Sequence, residues 1–395
     1  MGWYKVMKIW IIGYGVPSEK YPINGIFSYN QAKALAQYSQ DLSVCYIALD
    51  IRSLRRWRRW GIRKYVKDDI QIIECSVPVG GIPAKYKNGI YHTLLAYALR
   101  CARRLCGKPD IIHAHFTEMA YALSQCRNSY DAGIIVTEHS SGINEPVIDP
   151  ELRRMAEYCY SKADRLITVS PSFQQKIYEE FHKNSIFIPN IIDEHIYYYK
   201  EPFISKSEPI RFLGVGRLVP VKQYDFMISS FLEALKTDDQ MELYLIGDGV
   251  EYGKLSGLIK KSGRNDKVHL LGQKSAEEVA EWMQKSHCLV ISSEAETFGA
   301  VCAEALMCGR PVISTRCGGP ECMIDTQNGI LLSVNDQEHM KNAFLEMKQR
   351  YQRYEFRKIA EKAVSGFGTN AVCQELVTVY QQVMEDKGRA CGDCL

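Results

Sequence analysis

Short apolar runs alternate with longer stretches of helical spacing along the whole chain. In the first half the runs Met7–Ile12, Leu42–Leu49, Ile70–Cys75, Ile111–His113, Ile134–Thr137, Leu166–Val169 and Ser185–Ile188 read as strands. Helical patterns such as Ser28–Tyr38, Tyr91–Leu105 and Glu151–Ser161 fall between them. This repeated strand-then-helix order predicts a parallel sheet with helices on both faces, and ligands on such sheets bind at the carboxyl ends of the strands. After Pro189-Asn190 a Tyr-rich polar stretch runs through Pro209 and reads as a connection. A second series follows, with strands Ile210–Val215, Glu242–Ile246, Val268–Leu270, Cys288–Ser292, Pro311–Ser314 and Gly329–Leu332. Its helices are Tyr224–Leu235, Tyr252–Lys260, Ala276–Met283, Ala300–Met307 and Gln337–Lys348. Two separate parallel sheets are expected, and no short-period repeat points to a solenoid.

A length of 395 residues exceeds what one hydrophobic core fills, so two domains with a cleft between them are expected. The pattern divides the chain into a first α/β domain over 1–195, a second over 196–370, and a terminal helix and tail over 371–395. With 46% hydrophobic and 24% charged residues the composition is that of an ordinary folded protein. A net charge of +3 is too small for a nucleic-acid binder. No apolar run reaches about 18 residues, and no small-residue cleavage site follows Met1–Val16. A cytoplasmic protein opening with a strand is expected. Of the fourteen cysteines, Cys45, Cys101, Cys159, Cys288, Cys302 and Cys308 fall within strands and helices without zinc spacing, which predicts buried reduced thiols. Cys391 and Cys394 are the one close pair, and they lie at the terminus.

The segment from Ser292 to Ile313 reads strand, loop, helix, glycine stop, strand. Within it, Gly299 permits close approach of backbone to a ligand, and the first amides of the helix opening at Ala300 suit a diphosphate. Glu296 before the helix and Glu304 within it are acceptors for sugar or ribose hydroxyls, because a carboxylate beside phosphate is repelled. The plainer alternative makes both of them solvated helix-end acids. Arg217 and Lys222, just past a strand end, are placed to neutralise a departing nucleoside diphosphate; the plainer reading is an ordinary cationic pair at a helix start.

The spacing Glu296, seven residues, Glu304, with Phe298-Gly299 after the first acid and Gly309-Arg310-Pro311-Val312 closing the helix, closely resembles the retaining glycosyltransferases of family 4, the glycosyl transferases group 1. Further matches are Gly216-Arg217-Leu218 with Lys222, Leu245-Ile246-Gly247-Asp248-Gly249, Cys317-Gly318-Gly319-Pro320-Glu321 and Asn328-Gly329-Ile330-Leu331. In the first half, Pro109–His115, Val136–His139, Asp164–Ser170 and Ile188–Asp193 are similar to the family's strand ends. The resemblance covers nearly the whole chain and implies a GT-B fold: two Rossmann-like α/β domains with parallel sheets facing across a cleft. It implies an acceptor-binding first domain, a donor-binding second domain and a final helix, about Ala371–Asp386, crossing back to the first. It implies a hexosyltransferase using a nucleoside diphosphate sugar, with Gly25, Gly216, Arg217, Lys222, Glu296, Phe298, Gly299, Ala300 and Glu304 at the donor. It implies that His139, Arg217, Lys222 and Glu296 carry the catalysis, while His113 reads equally well as a structural residue. The chain departs from the family in having Lys222-Gln223 for Lys-Gly, Asn24-Gly25 for Gly-Gly in the turn Pro22–Phe27, and Ile191 where Gly is usual.

Gly13-Tyr14-Gly15 lacks the third glycine of a dinucleotide fingerprint and is followed by Pro17, which argues against a nicotinamide or flavin enzyme. No Asp-x-Asp occurs, and the resemblance implies no cofactor and no metal. In the stretch Arg52–Lys64, Trp57 and Trp60 stand among Arg55, Arg56, Arg58 and Arg59, a signature of an arm on an anionic membrane; packing of the two indoles on the domain is the alternative. The expected role is transfer to a saccharide or lipid-linked acceptor in surface polysaccharide or glycolipid synthesis, by a cytoplasmic enzyme peripheral on the inner membrane face. The rivals are a sugar-nucleotide epimerase or phosphorylase on the same fold, and a non-catalytic sugar-nucleotide-binding partner.

Overall fold

In the first half of the chain β1 (Met7–Tyr14) lies at the centre of a sheet and is buried along nearly its whole length, as a strand covered on both faces must be. It pairs in parallel with β2 (Leu42–Ile51) on one side and β5 (Ile111–His115) on the other, Ile9 standing opposite Val44 and Ile111. The computed structural model describes residues 6–18, 21, 24–51, 61–79, 84–126, 130–201 and 208–388. Among these, the first sheet adds β3 (Gly61–Lys67), β4 (Ile70–Val77), β6 (Gly133–Glu138), β7 (Arg165–Thr168) and β8 (Ile186–Phe187), in the order β3-β4-β2-β1-β5-β6-β7-β8. Its helices are α1 (Ile26–Tyr38), α2 (Ala84–Cys106), α3 (Thr117–Gln125), α4 (Ser141–Asn144), α5 (Pro150–Lys162) and α6 (Pro171–Phe181).

One strand corrects the expectation of a purely parallel sheet. Strand β3 runs antiparallel to β4, and Gly61-Ile62-Arg63-Lys64, read from sequence as part of a basic arm, opens it. The two strands join through Asp68 and Asp69, whose φ of 51° and 60° is the left-handed pair that a two-residue hairpin demands. Arg63 donates to Glu74 across the pair at 2.7 Å, so an apparent surface cation partners a buried carboxylate. Trp57, Trp60, Arg55, Arg56, Arg58 and Arg59 lie outside the described residues, as do Pro22, Ile23, Cys391 and Cys394.

The second sheet comprises β9 (Ile210–Val215), β10 (Met241–Ile246), β11 (Val268–Leu270), β12 (Cys288–Ile291), β13 (Val312–Thr315) and β14 (Gly329–Leu332), in the order β11-β10-β9-β12-β13-β14, all parallel. The helices of this half are α7 (Tyr224–Leu235), α8 (Tyr252–Ser262), α9 (Ala276–Lys285), α10 (Ala300–Met307), α11 (Gln337–Arg350) and α12 (Phe356–Phe367). Phe212, Phe231 and Phe344 meet edge to face in its core.

The chain divides into two compact units, one running to Ile191 and regaining the chain at Thr369, the other spanning Ile192–Gly368. The last helix, α13 (Thr369–Asp386), therefore belongs with the first sheet. Its Val372, Leu376, Val379, Tyr380 and Val383 join Ile9, Ile11 and Tyr46 in one apolar cluster. Cys45, Cys101, Cys159, Cys288, Cys302 and Cys308 are free buried thiols, and burial pushes Cys308 up to about 12. Among the described residues no helix is long and apolar enough to cross a membrane.

Candidate active site

In the second unit the chain leaves β9 at Gly216, whose φ of 154° and 2.9 Å approach of a would-be Cβ to the Tyr224 hydroxyl leave room only for glycine. A short 3-10 turn, Pro220–Lys222, then brings Lys222 back beside the end of β12. Two bonds hold that turn: the Ser292 hydroxyl donates to the Lys222 carbonyl at 2.7 Å, and the Glu294 amide to the Val221 carbonyl at 2.8 Å. Gln223 follows at φ 48°, a left-handed conformation that explains why glycine is usual here. The side-chain amide of Gln223 donates to Glu294 at 2.7 Å and to Asn335 at 2.6 Å, so local hydrogen bonds offset that conformation.

Glu296 is fixed by its own backbone, its amide donating to Cys317 at 2.7 Å and its carbonyl accepting from Gly319 at 3.0 Å. One of its carboxylate oxygens forms an ion pair with the Lys222 ammonium and accepts the Ser293 hydroxyl at 2.7 Å. Both partners are mostly buried, with 21% and 12% of their side chains exposed. Lys222, Tyr224, Ser293, Glu296 and Val301 line a small cavity at this spot. Burial and the nearby Glu296 charge push the Tyr224 phenol up, so it stays a neutral hydroxyl.

Gly299 stands at φ 80°, and a Cβ there would come within 2.7 Å of Pro320. It caps α10, whose first amides, at Ala300 and Val301, have no carbonyl one turn back to bond. The Phe298 ring is turned inward: it is 2% exposed and packs edge-on to Phe367. What Phe298 offers the site is main chain, pressed so closely against Gly319 that a Cβ there would stand 2.2 Å from the Phe298 carbonyl oxygen.

Glu304 is half-buried on α10 and not a solvated helix-end acid. Burial raises its carboxyl to about 7, a hydrogen bond with Tyr197 pulling the other way. Arg217 is exposed, and no carboxylate among the described residues pairs with it.

The other candidates lie in the first unit. Gly25, at φ 69°, caps α1, and a Cβ would collide with the Tyr14 carbonyl at 1.6 Å. Phe27 in the first turn of α1 stacks on His139 at 5.9 Å, which brings this turn beside the end of β6. His139 bonds the His115 ring at 2.8 Å through Nε2, while its Nδ1 is buried without a partner among the described residues. Burial lowers its pKa to about 3, so the ring is neutral. His113 is held between Tyr380 at 2.8 Å and Thr137 at 2.6 Å, all its ring nitrogens satisfied, which fits a structural role.

The structure thus gathers Gly216, Lys222, Glu296, Gly299, Ala300 and Glu304 on the second sheet's carboxyl end, and Gly25 with His139 on the first. Sequence reasoning passed over Ser292 and Ser293, which orient Lys222 and Glu296, although both open the quoted motif. Tyr197 fell in a stretch read as connection, and Phe116, at φ 71° against the His139 ring, gave no sequence signal.

With two parallel-sheet α/β units, the fold is GT-B. Residues 199–363 match the model for glycosyl transferases group 1, and residues 28–195 match that for glycosyltransferase family 4. The chain belongs to the glycosyl transferases group 1. It is 32% identical over 240 residues to an uncharacterized glycosyltransferase of Methanocaldococcus jannaschii, covering 60% of this chain and 65% of that one, so the match spans just under two thirds of that relative. It is 27% identical over 293 residues to the N-acetyl-alpha-D-glucosaminyl L-malate synthase of Bacillus anthracis, covering 70% and 76%. The sucrose-phosphate synthase structure from Thermosynechococcus elongatus superimposes with a TM-score of 0.77 at 20% identity, over 96% of this chain and all of that one.

Proposed function

We propose that this chain moves a glycosyl group from a nucleoside diphosphate sugar to the hydroxyl of a saccharide or lipid-linked acceptor, with retention at the anomeric carbon and without a metal. The observation that carries the reading is the Lys222–Glu296 pair beside the open amides of α10. As the bond from sugar to diphosphate breaks, negative charge grows on the leaving phosphate. Lys222, Arg217 and the amides of Ala300 and Val301 are the donors that stabilise it. Glu296 keeps Lys222 oriented and offers its second oxygen to a sugar hydroxyl, and it forms no covalent intermediate. The departing oxygen receives the proton of the attacking hydroxyl. Glu304 takes a ribose hydroxyl, and neutral His139 offers Nδ1 to a hydroxyl bound at the first unit.

The test is release of nucleoside diphosphate from UDP-, GDP- and ADP-sugars, with membrane extract as acceptor and with EDTA present. One donor should turn over in an acceptor-dependent way, undiminished by EDTA. Lys222→Ala and Glu296→Ala should each lose about 100- to 1,000-fold. Inversion in the product, or full activity in both variants, would overturn the reading, and binding without turnover would favour the sugar-nucleotide-binding partner. Contact of the Trp57 and Trp60 segment with anionic membrane belongs to the same proposal, and Trp57→Ala with Trp60→Ala should weaken sedimentation with anionic vesicles.

A further inference from the structure

A cavity of about 410 Å³ opens in the second unit, lined only by residues between Asp325 and Lys362. One wall is the loop 325–328, which leads into the start of β14 at Gly329. The strands of the second sheet all run parallel, so this is the end of the sheet opposite to the one that carries Lys222, Glu296 and Gly299. The remaining walls are the end of α11 at Arg350, the 3-10 turn Tyr351–Arg353 and the first two turns of α12.

The lining is polar and rich in cations. Arg350, Arg353, Lys358 and Lys362 share it with two carboxylates, Asp325 and Glu355. Both acids are already occupied, Asp325 by Lys362 at 2.6 Å and Glu355 by Lys358 at 2.6 Å. Each pair uses one N–H of an ammonium that has three, and exposed pairs of this kind hold weakly, so both lysines can turn to an incoming anion. Arg350 pairs with Glu346 from outside the lining, donates to the Thr326 carbonyl at 3.2 Å and lies 5.7 Å over the Tyr354 ring, which fixes it against the wall. Arg353 is exposed and pairs with no carboxylate among the described residues.

We propose that this cavity binds a small phosphorylated molecule of about the size of a sugar phosphate, at a site separate from the donor's. The volume lies in the range of small-molecule pockets, about 300 to 1,000 Å³, and exceeds what inorganic phosphate alone would fill. Cations reach the cavity from α11, from the turn and from α12, an arrangement that suits a tetrahedral anion with several acceptor oxygens. Thr326 and Gln327 on the opposite wall supply partners for hydroxyls. None of the exposed large apolar side chains among the described residues lines the cavity, so the surface has nothing to insert into a bilayer, and the ligand is a soluble one. The inference is independent of the glycosyl-transfer reading.

The test is calorimetric titration of the full chain with inorganic phosphate, glycerol 3-phosphate and glucose 6-phosphate, with glucose as the uncharged control. Saturable binding of a phosphate ester, at one site per chain and without binding of glucose, is expected. Arg353→Gln and Lys358→Gln should each weaken it about 10-fold. Lys222→Ala should leave it unchanged, as should Lys236→Gln, which removes an exposed cation of α7. Absence of saturable binding by all three phosphates overturns the proposal, as does equal binding of glucose. Loss on Lys222→Ala with none on Arg353→Gln overturns it by placing the phosphate at the donor site, and equal loss on Lys236→Gln does so by showing attraction to net charge alone. Thermal unfolding of the Arg353 and Lys358 variants should match the parent, because both side chains are exposed.

Discussion

Glu304 and His139 show how burial decides charge where the residue type alone does not. An ordinary carboxyl near 4.5 becomes, in Glu304, one near 7. Between these two values the unfolded chain gives up its proton while the folded chain keeps it, so Glu304 weakens folding as pH rises through that window. Glu304→Gln should therefore be more stable than the parent at pH 8, by up to about 3 kcal/mol, and equal to it at pH 4, as read by urea unfolding. Histidine works in the opposite sense. His113 and His139, lowered from 6.5 to about 3, stay neutral while the unfolded chain takes up protons, so stability is lost as pH falls below 6.5. Their ring resonances should not titrate between pH 8 and 5 in NMR spectra. The acidic and cationic members of the site were legible as residue types, whereas the ion pair between Lys222 and Glu296, 74 positions apart, was not.

At the scale of elements, the site is made by glycines that end strands and open helices. Gly299→Ala should destabilise by more than 1 kcal/mol in thermal unfolding, because both a φ of 80° and the Pro320 ring at 2.7 Å oppose a side chain. It should also weaken donor binding by tilting the first amides of α10. Helix α9 is a control away from the site: Ser275 and Glu278 form a reciprocal capping box, and Ser275→Ala should cost about 1 kcal/mol with no effect on turnover. Apolar periodicity revealed nearly all the parallel strands, since strands buried on both faces read as continuous apolar runs. It missed β3, whose side chains are nearly all exposed and whose identity rests on pairing with β4 and on the Asp68-Asp69 turn.

At the scale of the whole molecule, α13 completes a core begun more than 300 residues earlier. Ending the chain at Gly368 would expose Ile9, Ile11 and Tyr46 to water and remove the Tyr380 hydroxyl from His113. The first unit should then lose cooperative unfolding and become protease-sensitive, while the second, which makes its own core over Ile192–Gly368, should remain resistant.

The sequence by itself determined the two α/β series, the helix opening at Ala300, and the acids and cations around it, because strand burial, helix period and glycine punctuation are local properties. Tertiary structure alone decided the antiparallel edge, the orientation of Lys222 by Ser292 and Glu296, the inward turn of the Phe298 ring, and the neutral state of His139. Each of these depends on which distant groups share a site and how much water is left there, and neither is written in the order of neighbouring residues.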